Sequence, residues 1–133
     1  MTTRQDVHWL IGEFASTVPG VDHAVAISGD GLALGYSPGL PRDAADKLAA
    51  AGSGLTSLLV GVAGIVNAGH VQSSLVELDA GFLFIMSTPT GESILVLGRS
   101  DCDPAQITYQ LALVIEKFGD TLQAAPRGAV AGG

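Results

Sequence analysis

Three histidines and one cysteine are the side chains of this chain best suited to metal binding or nucleophilic chemistry, and their spacing does not assemble them. His8, His23 and His70 fall in three different segments, without the i, i+3 or i+4 spacing that lets a helix grip a metal ion, and neither HExxH nor CxxC occurs. No metal site is expected. Cys102 stands just ahead of a helix start, where the helix dipole favours a thiolate, but Asp101 and Asp103 on either side oppose that charge. Gly29-Asp30-Gly31 is too short for a dinucleotide fingerprint, and no GxxxxGK[ST] loop is present to cradle phosphates. Gly52-Ser53-Gly54 lacks the GxSxG pattern of a serine nucleophile. An arginine finger, which stabilises charge developing on a transferred phosphoryl group, would have to come from Arg4, Arg42, Arg99 or Arg127. Arg42 and Arg99 adjoin helix starts and could be presented to a partner, yet each reads more simply as a solvated surface side chain. The chain is therefore read as a binding module, not an enzyme, with no cofactor.

Composition narrows the partners. At 133 residues the chain has room for one domain, and at 47% hydrophobic and 14% charged it has too little charge to coat even a compact monomer. Some apolar surface is expected to meet another protein. The densest apolar stretch, Leu55 to Val66, is about a dozen residues broken by Thr56, Ser57, Gly61 and Gly64, shorter than the roughly 20 needed to span a bilayer. No membrane span is expected. Asp6 near the start, with no apolar signal core after it, and a single cysteine point to a cytoplasmic protein. A net charge of −7 with six scattered Lys and Arg leaves no basic stripe for nucleic acid.

The elements that position these residues can be read from periodicity and breakers. Val7, Leu10, Ile11, Phe14 and Val18 recur at helical spacing from a cap at Thr2 or Thr3, predicting a first helix over about 3–17 that stops at Pro19-Gly20. Strand-like runs at 23–27 and 32–36 flank Asp30-Gly31, the signal of a hairpin with a mirror-image turn. Pro38, Gly39 and Pro41 break the chain before an Ala- and Leu-rich helix over about 42–66, closed by Asn67-Ala68-Gly69. Runs at 70–79, 82–88 and 93–98 follow at hairpin spacing. The continuous apolar runs Phe82 to Met86 and Ile94 to Leu97 imply strands covered on both faces, hence helices on both sides of the sheet. Asp103-Pro104 caps a last helix, with Ile107, Leu111, Val114, Ile115, Phe118 and Leu122 on one stripe, ending near Gln123. Residues 1–123 make the domain, and 124–133, small residues with nothing to pack, read as a disordered tail. The predicted order is α-β-β-α-β-β-β-α.

That order, with the 18–34 segment VPGVDHAVAISGDGLAL as helix end and first hairpin and Gly81-Phe-Leu-Phe-Ile-Met86 in the meander, resembles the roadblock/LC7 family over about Asp6 to Leu122. Within that family the chain looks most like single-domain actinobacterial members that accompany sensor kinases and GTPases. The resemblance implies an α+β, three-layer α/β/α fold of profilin-like/roadblock type. Its five-stranded antiparallel sheet would carry the first and last helices on one face and the second on the other. It further implies homodimers in which second helices pair and third strands join two sheets. Relatives bind small Ras-like GTPases as activators or scaffolds; such activators work by repositioning the GTPase's own residues rather than by inserting an arginine.

No Asp, Glu, Lys or Arg occurs between Leu48 and Val76. At about 100° per residue, Leu48, Gly52, Leu55, Leu59, Val62 and Val66 form one stripe able to cover the sheet. The remaining surface carries Ala50, Ser53, Gly54, Ser57, Leu58, Val60, Gly61, Gly64 and Ile65, small residues that admit another backbone interleaved with apolar ones. A helix buried inside a monomer would explain them too, but the chain has no further element to cover that side. With Gln72 and Ser74 on the third strand, whose edge carries no lysine or proline block, these residues form the expected dimer and partner interface. An ordinary edge shielded by a loop is the other reading of that strand, and the family resemblance is the main support for the dimer. Leu59→Asp or Gly61→Arg is expected to give monomer or aggregate. Trp9, off the first helix's stripe, is read as a partly buried neighbour of the last helix. The expected function is a homodimeric regulator or scaffold of a cytoplasmic Ras-like GTPase in bacterial signalling. The alternative is a structural adaptor for another partner, such as a sensor kinase, without effect on GTP hydrolysis.

Overall fold

Val7, Ile11 and Phe14 are buried along one side of α1 (Thr3–Thr17), Val18 is buried just past its end, and Gly20, in the left-handed region, turns the chain into β1 (Val21–Ile27). The computed structural model describes residues 3–123; the proposed tail over 124–133, Arg127 and the cap at Thr2 lie outside the described residues. Next come β2 (Ala33–Tyr36), α2 (Arg42–Ile65), β3 (Ser73–Leu78), β4 (Gly81–Ser87), β5 (Ser93–Arg99) and α3 (Pro104–Gln123), the order read from the sequence.

All pairings are antiparallel, and the strands lie in the order β2-β1-β5-β4-β3. The chain therefore leaves one edge of the sheet at β2 and re-enters at the opposite edge, β3, with α2 as the crossing. One core lies between the sheet and α1 and α3, built on Ala24, Ala26, Phe84, Ile94 and Val96. The other lies under α2, built on Val25, Ile27, Ile85 and Leu95. Alternate residues of β1 and β5 thus feed opposite cores, which is why their sequences are continuously apolar.

Helix ends follow local chemistry. Asp103 accepts the amides of Ala105 and Gln106 at 3.1 and 3.3 Å, with Pro104 at the first helical position. Asn67 adopts φ 53° and Ala68 N–H bonds the Ala63 carbonyl, closing α2. The first hairpin differs from expectation. Only Gly31 has positive φ, so the turn is not the mirror-image type. Ser28 N–H bonds the Leu32 carbonyl and Gly31 N–H bonds the Ser28 carbonyl, a three-residue loop in which glycine takes the left-handed position. The turn from Thr88 to Glu92 repeats this pattern, with Gly91 in that place.

Three expectations are corrected by packing. Val62 and Val66 point to the sheet side of the helical wheel but are more than half exposed, and Leu59 is only half-buried. At about 1.5 Å per residue α2 is roughly 36 Å long, whereas five strands spaced about 4.8 Å apart span only about 19 Å. Its packing is mainly on β1, β2 and β5, so β4 is incompletely covered on that side. Trp9 is not partly buried against α3: it is 66% exposed. Finally, α2 is by length and composition long and apolar enough to cross a membrane, so the brevity of the 55–66 run does not exclude a span. Packing bears on it instead. Ala45, Ala49 and Gly52 are buried against the sheet, and a Cβ on Gly52 would come within 3.0 Å of Ile27 and Leu95, so the first half of α2 is part of the domain's core.

Candidate interaction surface

Beyond its seat on the sheet, α2 presents a side on which none of the other described elements lies. Ala50, Gly54, Leu58, Gly61 and Ile65 follow one another at three- or four-residue spacing and are all exposed, Leu58 to 71% and Ile65 to 82%. A Cβ added at Gly54, Gly61 or Gly64 would meet no atom within 4 Å. Small and large apolar residues therefore alternate along one stripe, a shape into which the side chains of a facing helix can interdigitate.

The flank of α2 borders a groove of about 640 Å³. Ser53, Ser57 and Val60 line one wall, Gln72 and His70 another, and the two hairpin turns close it through Ser28 and Thr88. Of the anticipated interface residues, the structure thus brings Ser53, Ser57, Val60 and Gln72 around this groove. Ala50, Gly54, Leu58, Gly61, Gly64 and Ile65 lie on the outer surface of the helix. Ser74 is half-buried in β3 opposite Ile85.

β3 pairs only with β4 and forms the open edge. Cross-strand partners share a face, so Val76, opposite Leu83, extends the α2 side, whereas Leu75, opposite Phe84, extends the α1/α3 side. Leu75, Val76 and Leu78 are exposed. None was singled out from the sequence, although three apolar residues within four positions of a short edge strand were the available signal.

The residues with possible chemistry are dispersed. The His8 ring accepts the Tyr36 N–H at 3.3 Å, His23 bonds Ser37 at 3.2 Å, and His70 borders the groove. Among the described residues no group of three or more His, Cys, Asp or Glu could hold a metal ion. Burial pushes the Cys102 thiol up and Asp101 adds to it, so the neighbouring helix start does not make it a thiolate. Arg42 lies 3.9 Å from Asp46 and Arg99 3.2 Å from Asp101, both on the surface.

The sequence profile of the Roadblock/LC7 domain matches residues 8–98. The chain belongs to the roadblock/LC7 family. A crystal structure of a roadblock/LC7 domain from Streptomyces avermitilis is 34% identical, covers 88% of this chain and 98% of its own, and superposes with a TM-score of 0.80. The fold extends further. The gliding protein MglB from Thermus thermophilus covers 94% of both chains at TM-score 0.80 with 12% identity. An MglB solved in a tetrameric arrangement covers 95% of this chain and 94% of its own at TM-score 0.81 with 11% identity. Curated proteins give no sequence match. The roadblock profile stops at the end of β5, so the resemblance read from sequence out to Leu122 is carried across α3 by the structural neighbours.

Proposed function

We propose that two copies of this roadblock protein pair through the outer stripe of α2 and the open edge of β3, and that the dimer regulates or scaffolds a cytoplasmic Ras-like GTPase. The observation that carries the proposal is the exposed, charge-free stripe Gly54-Leu58-Gly61-Ile65. Burying a large aliphatic side chain contributes about 1.5–3 kcal/mol, so Leu58, Ile65, Val62 and Val66 leave a sizeable stabilisation unused in a monomer. Glycine inside a helix costs up to about 1 kcal/mol relative to alanine, a loss that close approach of a second helix offsets. Open N–H and C=O groups along β3 offer backbone pairing at the same interface.

Family membership supports the GTPase reading, and the chain holds no phosphate loop of its own, so the nucleotide would be the partner's. The test is direct. A Ras-like GTPase encoded by a neighbouring gene is loaded with GDP or a GTP analogue, binding to this protein is measured, and hydrolysis is followed with and without it. Binding in one nucleotide state is expected. No complex in either state would overturn the GTPase assignment; a complex with unchanged hydrolysis would select the scaffold over the activator.

A further inference from the structure

A second apolar surface lies on the opposite side of the molecule from α2. Ile107, Leu111, Val114 and Phe118 turn one side of α3 to the sheet, so Tyr109, about 170° away on the helical wheel, and Leu113, about 130° away, project outward. They are 63% and 44% exposed. On α1 the buried stripe Val7-Ile11-Phe14 likewise leaves Trp9 outward.

The two helices pack side by side. A Cβ on Gly20, just past the end of α1, would stand 3.7 Å from Ile107 in the first turn of α3, so the helices run in opposite directions from that end. At about 1.5 Å per residue, Trp9 lies about 12 Å from the end of α1 and Leu113 about 14 Å from the start of α3, at similar height on neighbouring axes about 8–10 Å apart. By this placement the three side chains share the outward surface of the helix pair.

Its rim differs from that of α2. Glu13, four residues after Trp9, and Glu116 and Asp120, after Leu113, are exposed on the same outward side, and Lys117 follows Glu116 in the sequence. We propose that this outer face of α1 and α3 docks a basic amphipathic segment of another protein, whose apolar residues cover Trp9, Tyr109 and Leu113 while Lys or Arg side chains meet the carboxylates. A second copy of this chain is a poor occupant, because self-contact here would set like charges together. Exposed tryptophan and tyrosine fit such a role, since both supply large contact area at low entropic cost.

Trp9 is the sole tryptophan, so its emission reports this face alone. The full-length protein is titrated with a synthetic helical peptide of Leu and Lys lacking aromatic residues, with a Leu/Glu peptide of the same pattern as control. A saturable blue shift with the basic peptide only is expected, weakening as salt rises. Leu113→Ser is expected to abolish it. Glu13→Lys with Glu116→Lys should weaken it about tenfold, the effect of two rim charges together. Leu58→Ser on α2 should leave it unchanged. The proposal is overturned by no shift, by equal response to both peptides, or by responses that survive Leu113→Ser. It is also overturned if Trp9 emission is already blue-shifted and moves to that of exposed tryptophan on deleting residues 124–133, because the chain's own end then occupies the face.

Discussion

Gly54, Gly61 and Gly64 have open space where a Cβ would stand, so nothing inside the fold asks for glycine there. Gly61→Ala separates the two forces acting on α2. In a background made monomeric by Ile65→Asp it should raise the thermal midpoint, since alanine is favoured in a helix by about 1 kcal/mol. In the otherwise native chain it should raise the dimer dissociation constant, because the added methyl keeps the two backbones apart. An unchanged dissociation constant would place Gly61 outside the contact. Leu59 is half-buried on the sheet side, so Leu59→Asp would confound fold with interface; Ile65 is the cleaner probe. Glu92 offers an independent check on the β4–β5 turn. Burial pushes its carboxyl up, but hydrogen bonds from Thr90 and Thr88, the latter at 2.8 Å, outweigh burial and hold it below its ordinary value of 4.5. A lowered folded-state value means the stabilisation is present above pH 4.5 and is lost as pH falls through the folded value. Thermal midpoints measured against pH should therefore drop less steeply below that point in Glu92→Gln than in the native protein.

At the scale of elements, helix α1 is held tightly to the edge strand β2. A Cβ at Gly35 would stand 2.8 Å from a Val7 methyl and 3.0 Å from the His8 backbone nitrogen, and backbone cannot swing aside. Gly35→Ala is expected to destabilise by about 1–3 kcal/mol, lowering the thermal midpoint by at least about 3 °C without affecting self-association once folded. An unchanged midpoint would show that α1 can shift off β2. The elements were legible because their signals are local: Asp103-Pro104 caps, the apolar stripes of α1 and α3, and the glycine-bearing turns all act within a few residues. The helix-two stripe was legible in direction but not in extent. Val62 and Val66 point correctly, yet whether a sheet lies beneath them depends on its width and on which strands α2 crosses, which no local pattern encodes. Trp9 was misread for a related reason, because its surroundings depend on where a helix a hundred residues away docks. The exposed Leu75, Val76 and Leu78 escaped notice since an apolar run looks alike whether a strand is covered or open.

For the whole molecule, the charge distribution divides the surface in two. The α2 and β3 side is apolar and free of charge from Leu48 to Val76, suited to meeting its own kind without repulsion, whereas the α1 and α3 side carries an acidic rim. The net charge of −7 is carried outside the 48–76 segment, which leaves one neutral face for pairing. The homodimer would place two such acidic faces outward and leave the ends of the paired α2 helices for a GTPase. Sedimentation equilibrium of the unmodified protein, beside Ile65→Asp, bears on this arrangement most directly. A mass of twice 13.4 kDa is expected for the native chain and a shift toward 13.4 kDa, with unchanged helical content, for the variant. A native protein that sediments at the mass of one chain across micromolar concentrations would contradict it.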